Sequence, residues 1–243
     1  MKISILTLFP EMFDGFINTS IIKKARLKEI VEYDIVDIRL FTKDKHKRVD
    51  DYPFGGGQGM VMFPQPVIDA LRFVKTDKSH TILMSPAAPT FNQNKARTLV
   101  KFEHLIIICA HYEGYDERIL NYVDEVISIG DYILTGGELA AMVVADAITR
   151  LVDGVISEDS HLFESFEDGL LEHPQYTRPL DYEGFVVPEV LLSGHHENIR
   201  KYRLKESLRK TYIYRKDLLA NKEFDKETNN LLDEVISEEN HDN

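Results

Sequence analysis

Strand-length apolar runs alternate with helical patterns over the first 150 residues of the chain. The predicted strands cover residues 2–8, 31–38, 81–85, 105–109 and 123–129. The predicted helices begin at Pro10, Ser20, Pro64, Asn92 and just after the glycines at 136 and 137. Regular alternation of strand and helix is typical of a parallel α/β sheet, which is the fold class we expect.

The helix after the run 123–129 carries a start signal. Thr135 and Glu138 have the Thr-x-x-Glu spacing of a capping box, which predicts Thr135 as the N-cap. Leu139, Met142, Val143, Ala147 and Ile148 recur at helical spacing. This spacing predicts that they face the core.

The segment 41–60 is long and has no predicted regular structure. Its first half is basic and its second half contains four glycines. Loops of this length inside a compact domain are usually functional or disordered. We therefore regard the segment as a candidate binding loop.

The α/β pattern ends at Arg150. Residues 153–181 lack clear periodicity and predict a linker, and from Pro188 the chain has a helical pattern. A long helix is expected from residue 195 or 196 to 214, and a second, acidic one within 221–243. The predicted organisation is an α/β domain (1–152), a linker (153–181) and a small helical domain (182–243).

Charge is distributed unevenly along the 243 residues. The net charge is −12, yet residues 195–216 carry eight Lys or Arg and two Glu, a local charge of +6. A basic helix on an acidic protein can bind the phosphates of RNA. A solvated helix face explains the same charges equally well.

Composition narrows the classes of chemistry. The single cysteine, Cys109, lies in an apolar run and is expected to be a packing residue in a cytoplasmic protein. No signal peptide and no membrane span are predicted. Neither His-Glu-x-x-His nor Cys-x-x-Cys occurs, so no metal ligands are predicted. The first strand is not followed by the glycine pattern of a Rossmann fold.

Two loops that follow the strands 105–109 and 123–129 suggest a ligand site. They read AHYEGYDER (110–118) and GDYILTGGE (130–138). Glycines allow the backbone to approach a ligand closely, and amides at a helix start are unpaired donors. Well-built turns between strands and helices are the simpler explanation of the glycines alone.

Several long motifs together resemble a known family. CAHYEGYDER, SIGDYILTGGELAAM, LTLFPEMF, DDYPFGGGQGM, GLLEHPQYTRP and VLLSGHHENIR are similar to segments of the bacterial tRNA (guanine-N1)-methyltransferases, the TrmD family of SPOUT methyltransferases. The resemblance implies a parallel sheet with a deep trefoil knot. It also implies methyl transfer from S-adenosyl-L-methionine to N1 of guanosine 37 of tRNA, by a homodimer whose active sites are shared between subunits.

The resemblance also implies roles for individual residues. A general base should remove the N1 proton, and a cation should stabilise the charge that develops on O6. These roles fall on Glu164 and Arg150, although Arg150 at a helix end also suits the helix dipole. The implied donor-binding residues are Leu83, Met84, Ser85, Pro86, Ala110, Tyr112, Glu113, Gly114, Ser128, Ile129, Gly130, Tyr132, Ile133, Leu134, Gly136 and Gly137.

The chain departs from the family at two of these positions. Ala110 replaces a usual glycine, and Glu164 replaces a usual aspartate, so Asp159 and Asp168 remain alternative bases.

The predicted tRNA-binding residues are Lys43, His46, Arg48, Gly57, Gly59, Ser193, His195, Arg200, Arg203 and Lys205. A requirement for Mg²⁺ is left open. Two other functions also stay open: a non-catalytic RNA-binding module, and a knotted methyltransferase that modifies another RNA position.

Overall fold

The amino-terminal part of the molecule is built on a parallel sheet. The computed structural model describes residues 1–157, 164–166, 169–220 and 222–241, and the chain divides into two compact units, 1–157 and 158–243. The predicted three-part division with a separate linker stays a prediction.

The first unit contains seven strands and five α-helices. The strands are β1 (Lys2–Thr7), β2 (Glu32–Asp37), β3 (Asp50–Asp51), β4 (Val61–Met62), β5 (Ser79–Met84), β6 (His104–Cys109) and β7 (Glu125–Ile127). The helices are α1 (Asp14–Ile17), α2 (Ser20–Leu27), α3 (Pro64–Val74), α4 (Gln93–Leu99) and α5 (Glu138–Thr149). Short 3-10 helices cover Pro10–Phe13, Ile38–Phe41 and Glu117–Tyr122.

Five strands form one sheet in the order β2-β1-β6-β5-β7, with every neighbouring pair parallel. The whole of β6 is buried, which explains why its sequence is a continuous apolar run. The parallel α/β fold predicted from the sequence is confirmed. The trefoil knot stays a prediction.

Side chains that alternate along the strands form a core on each face of the sheet. Ile82 and Met84 of β5 point to one face and pack in the core that contains Val144 of α5. Leu83 points to the other face and packs in the core that contains Leu71 of α3. This arrangement follows from the two-residue repeat of a strand.

The expected strand 123–129 is shorter than predicted. Its paired part is Glu125–Ile127, because Val123 ends the preceding 3-10 helix and β7 pairs only with β5. The segment 41–60 also contains regular structure that the sequence pattern missed. Asp50–Asp51 pairs antiparallel with Val61–Met62.

Two predictions about α5 are wrong. The helix begins at Glu138 with Gly137 as its N-cap, so Thr135 does not cap it. Leu139 and Val143, predicted to face the core, are each 49% exposed, whereas Ile148 is buried as predicted. Alanines and Val144 line the rest of the buried apolar face. The capping box does not form because the Glu138 side chain points inward and accepts a hydrogen bond from Thr7. Small side chains are favoured on the buried face because the start of the helix lies very close to β6.

The second unit is helical, as predicted, with one hairpin. Its elements are β8 (Asp181–Tyr182), β9 (Phe185–Val186), α6 (His196–Tyr214) and α7 (Lys226–His241), with 3-10 helices at Glu189–Leu192 and Lys216–Leu219. The sequence analysis did not predict this hairpin. Its turn residues Glu183 and Gly184 both have positive φ, as expected of a two-residue hairpin turn. Among the described residues, no helix is both long and apolar enough to cross a bilayer.

Candidate active site

Three loops meet at one edge of the sheet. β5 is hydrogen-bonded to β6 on one side and to β7 on the other, and all three strands are parallel. The loops that follow these strands therefore leave from the same edge, which is where open α/β sheets bind ligands. They enclose a cavity of about 580 Å³.

Almost all of the predicted donor-binding residues line this cavity. They are Met84, Ser85, Pro86, Ala110, Tyr112, Glu113, Gly114, Ser128, Ile129, Gly130, Tyr132, Ile133, Leu134, Gly136 and Gly137. The exception is Leu83, which is fully buried and points to the opposite face of the sheet. Its strand neighbour Met84 faces the cavity because side chains alternate along β5.

The third loop returns from β7 to the end of β6. The amide of Gly137 donates a hydrogen bond to the carbonyl of Ala110 at 2.7 Å, and His111 forms a β-bridge with Gly136. A Cβ atom on Gly137 would lie 2.9 Å from the backbone nitrogen of Ala110. Glycine is therefore required by the close approach of two backbone segments.

The side chains beneath Gly136 leave no room for a larger residue at this position. A Cβ atom there would collide with the carboxylate of Glu138 and the imidazole of His111. His111 in turn packs between two aromatic rings, at 4.7 Å from Phe9 and 5.0 Å from Tyr112 between ring centroids. A larger residue at position 136 would displace this layer of side chains below the cavity.

A buried carboxylate lies at the centre of that layer. Glu138 is 2% exposed, and its Oε1 accepts a hydrogen bond of 2.9 Å from the hydroxyl of Thr7 at the end of β1. Its Oε2 lies 3.6 Å from Nδ1 of His111. Burial, and then the nearby charge of Glu138, raise the pKa of Cys109 well above its usual value. The thiol is therefore protonated and inert at neutral pH, as expected for a packing residue.

The family is decided by comparison with known proteins. The profile of the family described as tRNA (Guanine-1)-methyltransferase TrmD matches residues 1–221. The chain belongs to this family. A tRNA (guanine-N(1)-)-methyltransferase of Dictyoglomus turgidum is 52% identical over 239 residues, which cover 98% of each chain. Proteins of the same name from Halalkalibacterium halodurans and Bacillus cereus are also 52% identical, over 97% of this chain and 98% of theirs.

Arg150, the cation implied by the TrmD family, lies away from the cavity. It is the C-cap of α5, whereas Gly137 and Ala140 at the start of that helix line the cavity. Arg150 is ten positions beyond Ala140, which is roughly 15 Å along a helix axis. Arg150 instead borders a separate depression together with Phe16, Met142 and Val143.

Glu164, the implied base, belongs to the second unit. It is partly exposed, and the amide of the nearby Phe166 donates a hydrogen bond of 2.8 Å to the carbonyl of Leu170. The hydroxyl of Ser165 accepts a hydrogen bond from the amide of Glu172 at 2.9 Å. The alternative bases Asp159 and Asp168 lie outside the described residues.

The predicted tRNA-binding residues of the first unit lie on the segment 41–60. Lys43 forms an ion pair of 2.8 Å with Asp69, and Arg48 forms one of 3.0 Å with Asp44. The guanidinium of Arg48 lowers the pKa of Asp44 to about 2. His46 is exposed, and Gly57 and Gly59 have positive φ. A Cβ atom on Gly59 would collide with the side chain of Glu113, which lines the cavity.

The predicted tRNA-binding residues of the second unit lie on or just before α6. His195 is the N-cap of α6, and the hydroxyl of Ser193 donates a hydrogen bond to Val190. Arg200 pairs with Glu227 at 2.6 Å, and Lys205 pairs with carboxylates of α7 at 2.8–2.9 Å. Arg203 is exposed, and no carboxylate of a described residue lies within 4.0 Å of it.

The layer formed by Thr7, His111 and Glu138 was not predicted to belong to the site. The sequence marks Glu138 only as part of a helix start, and a glutamate is rarely buried. Burial becomes evident only when β1 and the third loop are brought together. Within the described residues, no group of three or more His, Cys, Asp or Glu side chains is arranged to hold a metal ion.

Proposed function

We propose that this protein transfers a methyl group from S-adenosyl-L-methionine to N1 of the guanosine at position 37 of tRNA. The observation that carries the proposal is the cavity at the carboxyl ends of β5, β6 and β7 in a chain that belongs to the TrmD family. We further propose a cytoplasmic location, because the substrate is tRNA.

The cavity suits a nucleoside with a positively charged sulfonium group. Its walls combine apolar side chains such as Ile129 and Leu134 with the carboxylates of Glu113 and Glu117. A side chain at Gly136 would collide with Glu138 and His111, and one at Gly137 would collide with the backbone of Cys109 and Ala110. A flat base between such loops can be recognised by backbone amides and carbonyls.

The bound donor supplies an electrophilic methyl group, so the protein chiefly has to orient the guanine and manage its proton. In our proposal Glu164 accepts the proton from N1, and Arg150 stabilises the negative charge on O6. General base catalysis contributes about 10²–10⁴ in rate. A placed cation acts on charge that develops only in the transition state.

We also propose that the active enzyme is a homodimer with shared sites. Arg150 lies roughly 15 Å along α5 from Ala140, the nearest residue of that helix that lines the cavity of its own subunit. An arginine side chain cannot span that distance, which supports a role at the cavity of a partner subunit. Leu139 and Val143 present an exposed apolar face on the same helix. In a twofold dimer that buries this face, α5 of each subunit would run past its partner.

The trefoil knot is part of the proposal. The third loop returns to the end of β6, where the amide of Gly137 donates a hydrogen bond to the carbonyl of Ala110. This return supports a knotted path.

The segment 41–60 and the residues around α6 are proposed to bind tRNA, with Arg203 as the most available cation on α6. A role for Mg²⁺ remains a prediction.

A methylation assay tests the proposed function directly. Two tRNA transcripts that differ only at position 37, guanosine or adenosine, are incubated with the protein and labelled S-adenosylmethionine. We expect label only in the guanosine transcript, located at N1 by nuclease digestion and mass spectrometry. Equal labelling of both transcripts would point to another RNA position, and absence of labelling in both would refute the proposal.

A further inference from the structure

The turn at residues 53–56 presents an aromatic ring to solvent. The amide of Gly56 donates a hydrogen bond of 3.2 Å to the carbonyl of Pro53, which closes a four-residue turn with Phe54 at its outer corner. Gly55 and Gly56 have φ values of +88° and +80°, and a Cβ atom on either would meet nothing within 4 Å. Phe54 is fully exposed, and Tyr52 is 74% exposed.

The chain that follows this turn is hydrogen-bonded to residues of the proposed donor cavity. The amide of Glu113 donates to the carbonyl of Met60 at 3.1 Å, and the amide of Met62 donates to the carbonyl of Gly114 at 3.0 Å. Glu113 and Gly114 line the cavity. The antiparallel pairing of β3 with β4 closes the base of the loop. Both ends of the loop that carries Phe54 therefore lie at strands that are hydrogen-bonded beside the cavity.

The other exposed residues of this segment favour a nucleic acid over an apolar protein surface. Lys45 and Lys47 are exposed on the same segment, and neither lies within 4.0 Å of a carboxylate of any described residue. Exposed cations that can attract phosphates, together with exposed aromatic rings on the same segment, are a combination that binds unpaired nucleotides. Single exposed apolar side chains are common, but here two aromatic rings share one fastened loop.

We propose that Phe54 stacks on an unpaired base that neighbours the methylated guanosine in the anticodon loop. The inference rests on the proposed function for the identity of the RNA. The ring would support the face of the neighbouring base and thereby help to direct the target guanine toward the donor cavity. Phe54 would act in substrate binding and would not take part in proton transfer.

The experiment compares three variants with the wild type. Phe54→Ala removes the ring, Phe54→Tyr keeps an aromatic face, and Phe73→Ala removes another exposed phenylalanine of the first unit, 73% exposed on α3. Steady-state methylation gives KM and kcat for tRNA. An anticodon stem-loop with 2-aminopurine beside the target guanosine reports stacking through fluorescence quenching, whether or not methylation occurs.

We expect Phe54→Ala to raise KM for tRNA by about 5- to 100-fold, the usual cost of losing one base–aromatic stack. It should also abolish the quenching, while S-adenosylmethionine binding measured by calorimetry stays unchanged. Phe54→Tyr and Phe73→Ala should behave like the wild type.

Two results would overturn the inference. One is unchanged KM and quenching in Phe54→Ala. The other is a shift of Phe54→Ala from dimer to monomer in sedimentation, because the ring would then pack against a second copy of the chain. Wild-type protein that quenches the probe but does not methylate guanosine would instead refute the proposed function and leave the stacking contact in place.

Discussion

The ammonium nitrogen of Lys205 lies 2.8 Å from a carboxylate oxygen of Glu238, so a cation of α6 is paired with an anion of α7. Hydrogen bonds from Lys205 and Arg209 lower the pKa of Glu238 to about 2, and the carboxylate is ionised at neutral pH. Arg209 also pairs with Glu239 at 2.6 Å. The acidic helix thus compensates part of the positive charge that first suggested RNA binding.

The pairing predicts that cations of α6 contribute unequally to tRNA binding. Arg203→Gln removes an exposed charge and should make the slope of log affinity against log salt less steep by about 0.7–0.9, the value for one phosphate contact. The double variant Lys205→Gln/Glu238→Gln removes a cation without changing the net charge, and its slope should match the wild type. Filter binding at several salt concentrations measures both. An equal loss of slope in the two variants would show that α7 does not shield Lys205.

Sequence patterns predicted the elements of the first unit better than the details of its site. The apolar runs identified the strands because β6 and its neighbours are buried on both faces. The spacing along α5 gave the correct helix and the buried Ile148, but it wrongly placed Leu139 and Val143 in the core. Alanines, not Leu139 and Val143, contact the sheet, since the helix approaches β6 closely at Gly137. The distance between α5 and β6 cannot be predicted from the hydrophobic pattern alone.

The inner layer of the site could not be predicted for a related reason. Glu138 is buried because Thr7, 131 positions earlier in the chain, donates a hydrogen bond to it. Local patterns carry no information about such a contact. By contrast, the residues lining the cavity could be named in advance because they lie in long motifs shared with a known family.

Gly136→Val should abolish binding of S-adenosylmethionine. The new side chain would collide with Glu138 and His111 and displace the third loop into the cavity. The secondary structure should survive, because the sheet itself is not altered. Calorimetry measures the loss of binding and circular dichroism checks the fold. Gly15→Val in α1, where a Cβ atom would meet nothing within 4 Å, is the matched control. Normal binding by Gly136→Val would exclude this loop from the donor site.

Stability should fall at mildly acidic pH because of His104. Burial, and then the charge of Lys2, lower the pKa of this histidine from 6.5 in the folded protein. Ser4 and Ser79 hydrogen-bond to its two ring nitrogens at 2.9 and 2.8 Å, and Asp34 and Glu32 act weakly in the opposite direction. Below pH 6.5 the unfolded chain therefore binds a proton that the folded chain does not, and the free energy of unfolding decreases.

Urea unfolding at pH 7.5 and pH 5.5 tests this expectation. The wild type should lose more stability between the two values than His104→Asn, which lacks the titrating group while other histidines remain common to both proteins. Above pH 6.5 the two proteins should show parallel pH dependence. An identical loss on acidification would mean that His104 titrates normally in the folded state.

The proposed sharing of sites predicts complementation between two inactive variants. Gly136→Val removes the donor cavity of its own subunit, and Arg150→Ala removes the cation. If Arg150 acts at the partner's cavity, a heterodimer of the two retains one intact cavity that receives an intact arginine. Such heterodimers, purified with two affinity tags, should have about half of the wild-type activity, since one of two symmetric sites works. Both variant homodimers should be inactive. Inactive heterodimers would instead assign Arg150 to the cavity of its own subunit.

The last prediction concerns the base. Glu164 stands where the family usually has an aspartate, and its longer side chain must still bring a carboxylate oxygen within about 2.6–3.2 Å of the N1 proton. Glu164→Gln keeps the shape and removes the base, so single-turnover methylation should slow by about 10²–10⁴ while tRNA and S-adenosylmethionine still bind. Glu164→Asp should keep most of the activity, because a shift of the turn at residues 164–166 can restore the distance. If Glu164→Gln stays within a few-fold of the wild type, the base lies elsewhere. A collapse of activity in Asp159→Asn or Asp168→Asn would then identify it.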